Sequence, residues 1–561
     1  MLITDDQLKT LLLNAKITDL AALAPVEEFA KTSDVSFSDA LLEKDIISDE
    51  NLGILIADHI KVPFVVLAKI TIPEEIFNVI PERFARKHKV VPFARDTQGI
   101  KVAMSDPTQK ETIEMIWRKT GQTVIPHLST ERDIYNTLSI YRKDIQKTFD
   151  DMIGKYVVNK EQQLFANVPI AKAVELIINY AYQDKASDIH IEPQEKESLV
   201  RFRIDGILHD VLYMPKTLHD QIITRLKVVS RLRTDEHMAP QDGKLRVHLS
   251  EEDLDIRLSI LPIVEGEKAV LRLLASRFRL FSLLDLGMND HDLKKISRAI
   301  AKSYGMILST GPTGSGKTTS IYAILKILNS RAKNITTIED PVEYRIKGVN
   351  QIQVNAKTDL TFANGLRSIL RQDPNIVFVG EIRDNDTAGI AVNAALTGHL
   401  VVSTLHTNDA ATSLPRLIDM DVEPFLVAST VNVIVAQRLM RKICDMCKTS
   451  SVVAMEELAK NVPPDALLRN FKDIKELRVY QGKGCKICHG TGYKGRIGAF
   501  EVLEVTQAIR KLITERNDAD AILKQAIADG MTTMLDDGLQ KIAKGVTTLE
   551  EVLRVTKVEA I

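Results

Sequence analysis

GMILSTGPTGSGKTTS, residues 305–320, reads as a strand, a glycine-rich turn and the start of a helix. Residues 306–310 form an apolar, strand-like run, and SIYAILKIL at 320–328 spaces its apolar residues for one helical face. Between them Gly311, Pro312, Thr313, Gly314, Ser315, Gly316, Lys317 and Thr318 fit G-x-x-x-x-G-K-[ST], and Thr319 follows. A loop of this kind turns backbone N–H groups inward around a phosphate, and the helix behind it adds its positive N-terminal end. Lys317 is expected to reach the β and γ phosphates of a nucleotide, and Thr318 to offer its hydroxyl to Mg²⁺. A glycine turn without a ligand is the alternative, and the flanking strand and helix disfavour it.

Downstream of the loop, strand and helix alternate to about residue 438, the pattern of a parallel sheet with crossover helices. A strand at 334–338 delivers Glu339 and, shortly after, Asp340 and Glu343. The apolar run 376–379, expected to be buried on both faces, ends in Gly380, Glu381 and Arg383, and the strand 400–405 ends at His406. Ligands of open α/β sheets bind at the carboxyl ends of the strands, so Glu339, Glu343, Glu381 and His406 are expected on one edge with Lys317. A carboxylate there can hold Mg²⁺ or orient water, and a histidine can sense the γ phosphate.

Upstream, residues 168–280 combine a helix with alternating strands such as SDIHIEP, LVRFRIDG and GEKAVLRLL. They carry Arg203, Arg257 and Arg272 among several arginines, which form either a solvated strand face or a source of positive charge for phosphates. Residues 1–145 alternate short helical patterns with turns, and the polar stretch 146–167 reads as a linker. Beyond residue 440, Cys444, Cys447, Cys485 and Cys488 form two C-x-x-C pairs. In a cytosolic chain this spacing favours a closed, structural zinc site over disulfides or free thiols.

The 561 residues imply several domains, and a formal net charge of -1 with few aromatics does not predict nucleic-acid binding. No apolar run approaches the roughly 20 residues that span a bilayer. MLITDDQLKT lacks the regions of a signal peptide, which predicts a cytoplasmic protein.

GPTGSGKTTS, ITTIEDPVEY, IVFVGEIRD and TGHLVVSTLHTNDA occur in that order. They resemble the Walker A, aspartate, Walker B and histidine boxes of the secretion ATPases that power type IV pilus assembly and type II secretion. SDIHIEP, RFRIDG, PQDGK, RLSILPIVEGEKAVLRLL, AQRL, the paired C-x-x-C, GYKGRIGAFEVL and GMTTMLDDGLQKIAKGVTTLEEVLRVT are similar to further family segments, and together they cover about 168–556. The resemblance implies an α/β protein: an N-terminal α+β docking domain (1–145), a linker (146–167), an arginine-bearing, PAS-like α+β middle domain (168–280) and a RecA-like P-loop NTPase motor (281–561) with a zinc-binding insert (441–495).

By position it implies ATP and Mg²⁺ at Lys317 and Thr318, Glu381 acting on metal or water, and Glu343 as the other candidate base. Arg257 and Arg272 match arginines that approach the phosphates on domain closure, and Arg203 matches one acting across a subunit boundary. The expected assembly is a homohexamer, peripheral on the cytoplasmic face of the inner membrane, driving a platform protein and through it pilins or pseudopilins. Pilus extension is preferred to type II secretion, and a RecA-like DNA translocase or a non-hydrolysing scaffold is a more distant alternative. Asn375 departs from the aspartate common before the Walker B strand. Ser36, Phe37, Ser38 and Asp45 stand where some relatives carry a cyclic di-GMP motif, so binding of that dinucleotide is not expected.

Overall fold

The computed structural model describes residues 3–33, 36–44, 46–70, 72–138, 145–159, 164–165, 168–249, 253–274, 282–472 and 474–556. The chain divides into two compact units, one of Met1–Thr71 with Arg279–Ile561 and one of Ile72–Phe278.

The first unit begins with helices Asp5–Asn14, Leu20–Ser33, Phe37–Glu43 and Asp49–Ile60. Thr4, Ser36 and Ser48 cap three of them by accepting backbone N–H groups of the first turn. Leu8, Leu12, Leu23, Leu41 and Leu52 share one buried cluster. The helical start of the expected 1–145 domain has a core of its own in the first unit, and the chain from Ile72 falls in the second unit. Of the positions compared with the dinucleotide motif, Asp45 lies outside the described residues.

The second unit contains a three-stranded sheet of Val90–Asp96, Gly99–Met104 and Val124–Leu128. It also contains a six-stranded antiparallel sheet ordered Ile207–Pro215, Glu197–Ile204, Asp188–Pro193, Gly266–Leu274, Asp253–Ile263 and Gln241–His248. Helix Ile145–Ile153 occupies the first part of the expected linker. Its Ile145, Phe149 and Ile153, spaced four apart on one face, are buried with Ile177 and Leu212 of the large sheet's core. Residues 160–163 and 166–167 of the linker lie outside the described residues.

The motor part of the first unit is built on seven strands: β1 (Gly305–Thr310), β2 (Ile335–Glu339), β3 (Asn350–Gln353), β4 (Ile376–Val379), β5 (Leu400–Leu405), β6 (Val431–Ile443) and β7 (Tyr493–Glu504). Their order is β3-β2-β4-β5-β1-β6-β7, parallel except for the final β6–β7 pair. β1, β4 and β5 are buried along their whole length, because helices cover both faces. On one face Ile307, Val402 and Phe378 meet Ile321, Tyr322 and Leu325 of helix α1 (Lys317–Leu328). On the other, Met306, Leu308, Val377 and Val401 meet Ala391, Leu414 and Val427.

Between β6 and β7 an insert forms a two-stranded ribbon, Lys448–Ala454 with Glu476–Gly482. Among the described residues no helix is long and apolar enough to cross a membrane.

Candidate functional site

The loop between β1 and α1 is shaped by what its glycines permit. Gly311 has φ 141°, and a Cβ there would lie 2.5 Å from Gln437 O and 2.7 Å from Ser315 Oγ. Gly316 precedes α1 at φ 92° and supplies no side-chain cap, so the first N–H groups of the helix are left for an oxygen-rich ligand. Lys317 folds back over the loop, donating to Gly311 O at 2.7 Å and Pro312 O at 3.1 Å. Burial pushes its ammonium below the ordinary value, with the Glu381 carboxylate opposing and Arg438 adding to the shift. Thr318 is half-buried on the first turn of α1.

Glu339 ends β2, and Glu343, Glu381 and His406 follow β2, β4 and β5 in the chain. Glu381 follows β4, and its Oε2 pairs with His406 Nε2 at 2.9 Å and Arg383 Nε at 2.7 Å. His406 follows β5 and is exposed, whereas the Glu381 side chain is 13% exposed. Glu343 is half-buried in the segment after β2, with its backbone N–H directed to the Tyr322 hydroxyl at 3.4 Å. Glu339 differs from them in its burial. Only 3% exposed, its carboxylate accepts from the Tyr322 hydroxyl, from Thr337 Oγ1 at 2.6 Å and from Gln351 Nε2 at 3.2 Å. Burial raises its pKa despite those donors. This acid has no open approach for water; it ties β2 to α1.

The four cysteines converge in the insert's base, with all four sulfurs within 4.8 Å of one another. Cys444 to Cys485 and Cys447 to Cys488 are 3.9 Å apart and Cys485 to Cys488 3.7 Å. A tetrahedral zinc with Zn–S of about 2.3 Å has sulfur–sulfur edges of about 3.8 Å, so the donor set fits that ion. Burial opposes ionisation of Cys488, but backbone N–H groups of Cys485 and Gly492 outweigh it and lower the thiol pKa.

Residues 163–554 match the family model described as Type II/IV secretion system protein. The chain belongs to that family. As a secretion-system ATPase it is an ATP-hydrolysing enzyme. Residues 60–145 match a second model, the MshEN domain, which begins beyond Ser36, Phe37, Ser38 and Asp45. The chain is 36% identical over 562 residues to the type IV pilus assembly ATPase PilB of Myxococcus xanthus, covering 98% of each. It is 45% identical over 393 residues to type II secretion system protein E of Pseudomonas aeruginosa, covering 70% of this chain and 76% of that one. The Legionella pneumophila ATPase DotB shares the fold at 19% identity, with a TM-score of 0.51 over 68% of this chain and 95% of that one.

In this secretion-system ATPase the second unit holds its arginines on the large sheet. Arg272 Nε donates to Asp188 Oδ1 at 3.1 Å, and Arg203 Nε lies 3.5 Å from Asp188 Oδ2, so one carboxylate orients both. Arg257 sits directly opposite Arg272 in the antiparallel register. Asn375 accepts the Asn334 N–H at 2.7 Å, joining the starts of β2 and β4.

Several participants had no sequence signal strong enough to single them out. Gln437 Nε2 donates to Ser315 O at 2.9 Å, and the Thr310 and Thr407 hydroxyls, 2.6 Å apart, tie the end of β1 to the segment after His406. Glu501, on β7, accepts the Ala410 N–H at 3.0 Å, and burial pushes its pKa up to about 7. The quoted AQRL segment contains Gln437, but only the β1–β6 pairing places it on the glycine loop.

Proposed function

We propose that this ATPase powers assembly of type IV pili. The supporting observation is the span of the likeness: the pilus assembly ATPase PilB matches over 98% of both chains, N-terminal region included. In this reading the glycine loop and Lys317 hold the phosphates of ATP, and Thr318 and Glu381 hold Mg²⁺. Bound Mg²⁺ would neutralise charge developing on the β and γ oxygens. Glu381 or Glu343 orients and deprotonates the attacking water, and His406 holds the Glu381 carboxylate in place. Arg203, Arg257 and Arg272 supply further positive charge, zinc at the four cysteines holds the insert together, and the working form is a homohexamer. It acts at the cytoplasmic face of the inner membrane on a platform protein that adds pilin subunits.

The 45% identity over 393 residues to type II secretion system protein E favours one second reading, assembly of a pseudopilus. Deletion in the host, complemented by wild type or K317A, separates the two. Loss of surface pili with secretion intact, restored by wild type and not by K317A, is the expected result. Loss of enzyme secretion with pili intact would transfer the assignment to type II secretion, and rescue by K317A would remove the motor role.

A further inference from the structure

Strand β6 runs beside β1, and the pairing of Thr310 with Ala436 puts Gln437 and Arg438 where β1 gives way to the glycine loop. Gln437 is fixed there by its bond to Ser315 O and by the close approach of its carbonyl to Gly311. Arg438 follows it, half-buried, and its Nη2 donates to Asn408 Oδ1 at 3.1 Å, two residues past His406. Its Nε is buried and has no acceptor among the described residues. A charged donor shut away from water with an unused N–H carries a desolvation cost that an incoming acceptor removes. Burial lowers the Arg438 pKa with Asp409 opposing, and Arg438 in turn contributes to the lowering at Lys317. The two cations share one electrostatic neighbourhood, and a ligand with several negative oxygens relieves both.

We propose that Arg438 binds the phosphate chain of the nucleotide alongside Lys317, as a cation supplied by the same domain as the glycine loop. The proposal rests on the phosphate reading of that loop. A guanidinium presents its donors in a rigid fork, so Nε–H can take a phosphate oxygen while the Nη2 bond to Asn408 holds the plane in position. A lysine at this place keeps the charge and loses the fork.

Calorimetric titration of the full-length chain with ATP, ADP and inorganic pyrophosphate, beside R438M, R438K, N408A and K317A, tests this. R438M is expected to weaken all three about ten- to hundredfold, the range for a lost charge-assisted phosphate contact. R438K should recover part of that loss, and N408A, which frees the fork but keeps its charge, should lose clearly less affinity than R438M. If R438M binds normally while K317A has lost affinity, the inference is overturned and the phosphate reading of the loop stands. If K317A also binds normally, that reading itself fails. An N408A loss equal to that of R438M would mean that Arg438 only braces the segment after His406, which also overturns the inference. Should R438M unfold, R438K decides: weaker pyrophosphate binding at an unchanged melting temperature supports the contact, and unchanged affinity refutes it.

Discussion

Glu381 and Glu339 are both acids at the ends of neighbouring buried strands, yet their surroundings give them different work. Glu381 keeps one side toward His406 and Arg383 and influences Lys317 electrostatically. Glu339 is walled in by Tyr322, Thr337 and Gln351. Four residues on, Glu343 is only half-buried, on a backbone whose N–H is directed to the same Tyr322 hydroxyl. A base that positions and deprotonates water contributes typically 10² to 10⁴ in rate, so E381Q or E343Q should lower kcat by about that factor with ATP affinity retained. Steady-state phosphate release with parallel nucleotide titrations reads both numbers, and the larger kcat loss identifies the base. If both variants turn over at the wild-type rate, neither glutamate activates water.

The insert and β7 show how whole elements depend on single polar groups. The sulfur tetrahedron closes a loop that holds the ribbon Lys448–Ala454 and Glu476–Gly482, and structural zinc adds about 10 to 16 kcal/mol of apparent binding free energy in small domains. Elemental analysis should therefore find about one zinc per wild-type chain and a large loss in C485S, with faster proteolysis confined to the insert. A metal-free wild-type chain with an intact insert would contradict this. On β7, burial lifts the Glu501 carboxyl to about 7 from an ordinary 4.5. The folded chain then holds a proton that the unfolded chain has released between those values. Stability present below about pH 4.5 is lost as pH rises through 7, on the order of 3 kcal/mol at most. Glutamine can still accept the Ala410 N–H, so E501Q should melt higher than wild type at pH 8 and gain little at pH 5. Equal pH dependence of the two melting temperatures would show that the buried acid is not the titrating group.

At the scale of the molecule, the helical start of the chain belongs to the same compact unit as the motor. Lys44 Nζ donates to Lys326 O at 2.6 Å and Asn329 O at 2.8 Å, the carbonyl end of the helix that begins at Lys317. A cation at that end complements the helix dipole, so the N-terminal helices are joined to the nucleotide loop by one rigid element. A homohexameric motor predicts that phosphate release per chain rises with protein concentration as the ring assembles, in step with the hexamer fraction seen by analytical ultracentrifugation. Specific activity independent of concentration from monomer to hexamer would exclude cooperation between subunits.

Local patterns in the sequence carried a large share of this reading. The glycine loop, the buried strands 376–379 and 400–405 and the two cysteine pairs each have a spacing tied to one physical task, and each is legible without neighbours. The burial of Glu339 was not legible, because Tyr322 and Gln351 reach it from other elements. The apolar face of Ile145–Ile153 was hidden within polar composition and found its partners only in the large sheet's core. Gln437, Arg438 and Glu501 acquire meaning only when β6 pairs with β1, more than a hundred residues earlier in the chain, and β7 closes the sheet. The sequence alone determined the family of chemistry, since that depends on residues close together in the chain. Tertiary structure alone decided which acids stay open to water and which cations stand beside the phosphate loop, since desolvation and charge proximity belong to the packed molecule.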